Sequence, residues 1–405
     1  MSIGSFPNFT DGDVEILLSR HDKFVLHSHV LAKHSKWFES SLAERWKNRI
    51  PIDSSVPSTG SNAPVGRQTS DTSRLIRSYE LRFDKGSDVG MLAATDDDKN
   101  ARFVIGGPHW LSNLPTEHDN KILLCFNAHE EMLKAMYHVP FKVHTASGHL
   151  TQGFLEEVEP KTRALREVGI AYSCEEIVDS HIQQAFTTLY REAILADCTH
   201  EPAAMLEVAK RYKTDWIFKE AGAHLIGSST AVWLNAEGHL HRLRYADLFF
   251  AKRADFMAQL DRTVLNLFIM RIDDNVDGRT TFLKLAVAYF RHWLAARIFE
   301  DDSTLLANYG EVFHKIAEGR YYDEEFEGNV NRYVRDMFDD GPKLSPDSRE
   351  RVELEEQVSV VFDQAKHIVE EIVRIKTSAE VPDDVESGLP QALTFVEIED
   401  ADIPW

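Results

Sequence analysis

Three cysteines in 405 residues, Cys125, Cys174 and Cys198, are odd in number and lack CxxC or metal-ligand spacing. They are expected to be free thiols of a cytosolic or nuclear protein, because a reducing compartment keeps isolated thiols unpaired. Long apolar runs are missing too. No stretch reaches the roughly 18 residues that a membrane helix needs, and Met1 to Asp13 lacks a charged segment followed by an apolar one, so neither a span nor a secretory leader is expected. Positive charge is in short supply. The balance of 45 basic against 66 acidic residues leaves −21, and no basic stripe offsets it, which argues against nucleic acid or an anionic membrane as a direct partner. Glycine-rich phosphate cradles are absent, with neither a P-loop nor a GxGxxG. The nearest approach to a GxSxG nucleophile turn, Gly86-Ser87-Asp88-Val89-Gly90, puts its serine at the wrong place.

What the chain does have begins at Asp11. From there to Leu18, apolar Val14, Ile16 and Leu18 alternate along the chain with the period of two of a strand with one buried face. Ser19 to Lys23 is short and polar enough to reverse the chain, and Phe24 to Leu26 returns as a second strand. At His27 the period becomes helical, with Val30, Leu31, His34, Ser35 and Phe38 on one stripe. A second short helix is expected over Ser41 to Lys47.

The spacing of Phe24, His27, Val30, Leu31, Ala32, Ser35 and Phe38, with Asp13 and Val14 opening the strand before them, resembles the first half of a BTB/POZ domain. Further on, Phe126, Met132, Leu133, Met136 and Tyr137 resemble the helix near the end of that core, and Pro140 stops the helix. The resemblance implies an α/β core over residues 11–143 that acts as a binding module, not an enzyme. Two stretches depart from the family. Residues 50–73 are rich in Ser, Pro, Gly and Thr, and residues 84–120 contain Asp96-Asp97-Asp98 and a possible strand at Phe103 to Ile105; both are expected as irregular insertions, on either side of a third strand at Tyr79 to Phe83.

Residues 162–377 are expected to form a mainly helical domain. Val168, Tyr172 and Ile177 recur with the same offsets at Val208, Tyr212 and Ile217, which suggests two copies of a helix, a break near Cys174 or Thr214, and a second helix. Ile217 to Ala221, His224 to Gly227 and Phe290 to Trp293 resemble the helical part of fungal BTB-containing proteins. Helices are also expected at Tyr245 to Ile272, Arg279 to Ile298 and Thr304 to Glu318. In the last one, Ser348 to Lys376, Leu354, Val358, Val361, Ala365, Ile368, Ile372 and Ile375 fall at alternating spacings of four and three, a coiled-coil seam if taken alone. Phe362, Val369 and Val373 widen that stripe, as packing against a larger core would require. Residues 378–405 carry eight acidic residues and neither Lys nor Arg, and are expected to be an acidic, mobile tail.

Chemistry is hard to find in this pattern. His27, His29 and His34 invite a metal reading, but no Cys or carboxylate stands at ligand spacing, and the family position of His27 is structural; no metal and no cofactor is expected. The family resemblance implies protein partners and an adaptor that can recruit them to a cullin-type ubiquitin ligase. However, the family's hydrophobic-x-Glu cullin-contacting motif has no convincing copy in residues 84–120, and no Kelch, MATH or zinc-finger reader follows. Two alternatives stand beside the adaptor. One is a scaffold that self-associates through the Leu354 to Ile375 seam; the N-terminally exchanged dimer of the family is not expected, because only ten residues precede Asp11. The other is a transcriptional co-regulator acting through partners, suggested by the acidic tail.

Overall fold

The computed structural model describes residues 6–19, 22–46, 77–83, 90–94, 116–141, 153–271, 280–299, 305–319, 349–373, 393 and 396–405. The chain is mostly helical, with one small mixed sheet near its N-terminus, and divides into two compact units, Met1–Arg191 and Glu192–Trp405. The expected insertion at 50–73 and the strand at Phe103 to Ile105 lie outside the described residues, as do Val143 and Ile375.

In the first unit, alternation builds the sheet. Val14 and Ile16 of β1 (Val14–Leu17) are fully buried, as is Leu26 of β2 (Lys23–Leu26), with Phe24 nearly so. The two strands pair antiparallel with Val14 opposite Leu26. On its other side β1 pairs in parallel with β3 (Arg77–Phe83), Val14 opposite Arg77, and β3 pairs antiparallel with β4 (Gly90–Ala94), giving the order β2-β1-β3-β4. Tyr79, Leu81 and Phe83 keep the period of two and bury one face of β3. β4 falls inside the segment expected to be irregular. Gly90 is required at its start, since a Cβ there would come within 2.7 Å of the Phe83 ring.

The single helical stripe expected from Val30 to Phe38 is broken. Ser35 is extended, at φ −138° and ψ 118°, and separates α1 (Ser28–His34) from α2 (Lys36–Trp46). The second helix therefore starts well before Ser41. Helix α3 (Thr116–Met136) carries the second family pattern, and Met132, Leu133, Ala135 and Met136 are buried in the core. Three more helices are described in this unit: α4 (Phe154–Glu157), α5 (Glu159–Ala171) and α6 (Glu175–Thr188). Helix α5 packs on α3, so the expected boundary, which gave residues from 162 onward to the helical domain, moves to Arg191.

The second unit is a stack of helices: α7 (Arg191–His200), α8 (Pro202–Tyr212), α9 (Asp215–Gly227), α10 (Thr230–Leu243), α11 (Ala246–Ile269), α12 (Thr280–Ile298), α13 (Leu305–Glu318) and α14 (Arg349–Val373). Pro202 opens α8, where its missing N–H costs nothing. Arg253 of α11 holds the end of α9: its guanidinium donates to the carbonyls of Ile226 and Ser228 (2.8 Å for the latter) and lies 5.0 Å from the Trp233 ring. None of the described helices is long and apolar enough to cross a membrane.

The expectation of a mobile tail fails for its last ten residues. Residues 396–405 are placed, with a 3-10 turn at Asp400–Asp402, and Ile398 is 5% exposed. Acidic composition alone points to a solvated tail, whereas here Asp400 and Asp402 are paired with Lys219 and Lys252.

Candidate functional site

The family-pattern residues converge on the junction where β2 runs into α1. The Asp13 carboxylate accepts from the Ser28 N–H at 2.7 Å and from the Ser28 hydroxyl at 2.6 Å, so the residue just before β1 satisfies the first free donor of α1. One residue earlier, the His27 N–H donates to the Tyr137 hydroxyl at 2.7 Å, across 110 residues of sequence. The His27 ring is used on both sides: Nδ1 is 3.3 Å from the same hydroxyl, and Nε2 is 3.1 Å from Asp11 Oδ1. Phe9 stacks on Tyr137 with centroids 5.2 Å apart. Burial pushes the Tyr137 phenol up; the His27 N–H pulls it down, the Asp13 and Asp11 charges push it further up, and the balance is about 12. It therefore stays a neutral hydroxyl, free to accept from His27.

Ser35 is the other fixed point. Its hydroxyl accepts from the Phe38 N–H at 3.1 Å, capping α2, and donates to the Tyr172 carbonyl at 2.6 Å. Val14, Leu31 and Phe38 are buried and Phe24 is nearly so, while Val30 and Ala32 are half-buried at the edge of this core. Asp13, His27, Ser35 and Tyr137 are joined through hydrogen bonds at this junction and at the start of α2, and Val14, Phe24, Leu31 and Phe38 are buried in the core. The outward face of α1 and α2 shows His29, Lys33, Lys36 and Glu39.

Sequence reasoning missed the buried centre behind this junction. Tyr172, fully buried, accepts from the Leu92 N–H of β4 at 2.5 Å, and its hydroxyl lies 3.2 Å from His129 Nε2. The other His129 nitrogen is 2.8 Å from the Cys125 carbonyl, one turn back on α3. Phe38 stacks on the Tyr172 ring at 6.0 Å, and Trp37 meets it edge-on at 5.0 Å. Burial drives the His129 pKa down to about 4, opposed by the Cys125 carbonyl, so the ring is neutral. His181 on α6 falls to about 4 as well, first through burial and then through the charges of His138 and Lys134. The one available signal was the recurrence of Tyr172 at Tyr212, which marked it as a special position without saying what it touches.

The remaining expected sites are plain. Among the described residues, His27, His29 and His34 included, no group of three or more His, Cys, Asp or Glu side chains is arranged to hold a metal ion. Cys125, Cys174 and Cys198 are buried free thiols; burial raises all three, Cys174 to about 12 with Glu175 adding, which keeps them protonated and unreactive. Of the seam residues, Leu354, Val358 and Val361 are buried, Ile372 is 7% exposed, and Ile368 is half-buried. Phe362, which widens the stripe, meets Phe290 and Trp293 of α12, each at 5.0 Å, and α13 packs along the same helix. The seam is the core of its own unit. No protein-family model, no curated protein and no solved structure matches the chain.

Proposed function

We propose that this chain is a protein-interaction adaptor built on a BTB-type core, a binding protein and not an enzyme. The observation that carries the reading is the closure of the β2–α1 junction by Asp13, His27 and Tyr137. Residues 110 apart in sequence meet there at hydrogen-bond distance, and the polar positions of the pattern that prompted the resemblance, Asp13, His27 and Tyr137, all take part. The order of elements around it, a strand hairpin, two short helices and a third strand parallel to the first, supports the same reading.

Such a core leaves the outward face of α1 and α2 for a partner, and a cullin-type ubiquitin ligase scaffold is the partner class that the resemblance implies. The self-associating scaffold is the weaker reading, because its nearest surface, the Leu354 to Ile372 stripe, faces inward on α12 and α13. A co-regulator role would reuse the same docking face and is not separately supported. Calorimetric titration of the purified full chain with the N-terminal domain of a cullin scaffold tests the reading. A saturable one-to-one complex, weakened by reversing Lys33 and Lys36 to Glu, supports it. Absence of heat, in conditions where an established BTB adaptor binds, sinks the ligase assignment.

A further inference from the structure

The end of the chain sits in a groove between α9 (Asp215–Gly227) and α11 (Ala246–Ile269), and the groove is shaped for it. Asp215, Phe218, Lys219 and Gly222 lie on one face of α9, at the spacing of successive turns. The Trp405 indole N–H donates to Asp215 Oδ1 at 2.8 Å, and its ring meets Phe218 edge-on with centroids 5.3 Å apart. Lys219 Nζ reaches Asp400 at 2.6 Å from one wall. From the other, Lys252 Nζ reaches Asp402 at 2.7 Å and the Glu397 carbonyl at 3.2 Å. The floor is set by missing atoms. A Cβ on Gly222 would overlap the Ile398 side chain, and a Cβ on Gly227 would overlap the Leu393 carbonyl oxygen. Gly222, inside α9, costs helix propensity of about 1 kcal/mol against alanine, so its presence needs a compensating contact, and the tail supplies one.

The tail itself has the character of a bound peptide. Among its described residues only Leu393 and Ile398 are buried; Glu397, Glu399, Asp400, Ala401, Pro404 and Trp405 remain exposed. Its turn is held locally, with the Glu399 N–H donating to the Asp402 carboxylate at 2.8 Å, so it arrives with its shape preset. Two lysines facing two aspartates, one apolar plug in a glycine-lined hole and one aromatic anchor at the end form the pattern of a short-segment interface.

We propose that the α9–α11 groove is a recognition site for an acidic peptide segment carrying isoleucine and tryptophan, that Leu393 and residues 396–405 occupy it in cis, and that a partner segment of the same chemistry enters by displacing them. This does not depend on the BTB-type reading. A site that is open for only a small fraction of the time binds a competitor more weakly by that fraction. Loosening the tail therefore raises the affinity for a free peptide.

The probe is a fluorescein-labelled synthetic peptide spanning Val396 to Trp405, titrated by anisotropy against the full chain. With Ile398→Ser and Asp402→Lys in the tail, the chain should bind it at least about tenfold more tightly than wild type. Adding Gly222→Val to that variant should abolish binding, and a scrambled peptide should not bind. Equal affinity for wild type and tail variant, or no binding to a tail variant that melts cooperatively, overturns the proposal. So does a tail variant that no longer melts cooperatively, because the segment is then core and not ligand. A wild-type dimer that the tail changes convert to monomer overturns the cis assignment in favour of exchange between copies. A second measurement needs no substitution: excess unlabelled peptide should speed amide exchange from Ile398 to Ile403 in isotope-labelled wild-type chain, and unchanged exchange overturns the proposal.

Discussion

The joint between α5 and α6 and the joint between α8 and α9 are the same device put to different uses. In each, a buried tyrosine ends the first helix, and the next residue, Ser173 or Lys213, sits at φ 50°. The residue after that donates its N–H back five positions, Cys174 to the Gly169 carbonyl at 2.8 Å and Thr214 to the Ala209 carbonyl at 3.0 Å. The second helix then starts at an acidic residue, Glu175 or Asp215. Shared local chemistry makes a shared turn. The difference lies in what the second helix presents forty residues apart: fully buried Ile182 in the first copy, and Gly222, under Ile398, in the second. One hairpin fills its own core position, whereas the other leaves it for a segment from elsewhere in the chain.

The comparison can be broken most severely at the tyrosines. Tyr172→Ala should destabilise the first unit by about 3–5 kcal/mol, the range for deleting a buried ring, and Tyr212→Ala should do the same in the second. Hydrogen exchange would locate the damage, with protection lost over α3 and α5 for Tyr172→Ala and over α8 and α9 for Tyr212→Ala. Acid should strike the first unit next. His129 and His181 are held near 4, below the ordinary histidine value, so the folded state binds fewer protons than the unfolded one between about pH 4 and 6.5. Stability is therefore full above about pH 6.5 and falls as the pH drops toward 4, by at most roughly 3 kcal/mol for each ring. Denaturant titrations at pH 7 and pH 5 read this, and His129→Gln should reduce the slope. At the point of divergence, Gly222→Ala should cost about 1–3 kcal/mol by overpacking against Ile398, in contrast to Ile182→Ala, which opens a cavity. Thermal melts of each variant with Ile398→Ala separate the two: that change rescues Gly222→Ala alone. Ser35→Ala removes the α2 cap and the bond to the Tyr172 carbonyl and should cost about 0.5–2 kcal/mol. Least of all, Asp179→Asn breaks the half-exposed pair with Arg166 that the first joint has and the second lacks, where Leu206 and Lys219 take those places. Its cost should stay below about 1 kcal/mol and shrink in high salt.

Local signals were legible in the sequence and distant ones were not. The ends of α11, α12, α13 and α14 fall within a few residues of where periodicity puts them, because each boundary depends on neighbours along the chain. Ser35 was read as one more stripe residue. Its break depends on the Tyr172 carbonyl, 137 residues away, and no local pattern encodes that. β4 was hidden because Gly-Met-Leu-Ala-Ala carries no β-branched residue, and its pairing comes from β3 and Tyr172. The docked tail was hidden for a similar reason. Eight acidic residues without a cation describe a solvated segment until the two lysines that face it are known, and those lie on helices from the middle of the chain. For the candidate site, the sequence named the residues of the β2–α1 junction but not the buried tyrosine and histidine behind it.

The parallel pairing of β1 with β3 also has a consequence for how the chain folds. Val14 and Arg77 lie 63 positions apart (77 − 14), against 12 for Val14 and Leu26 (26 − 14), so this contact closes a far longer circuit than the β1–β2 turn. Closure entropy grows only logarithmically with length. Each doubling costs about 0.6 kcal/mol, so stretching a connection of a few residues to the present one takes roughly 1–2 kcal/mol from stability while delaying the moment at which the sheet can form. The β1–β3 pairing is therefore expected to form after the β1–β2 hairpin, and φ-values for substitutions in β3 that fall below those in the hairpin would check it.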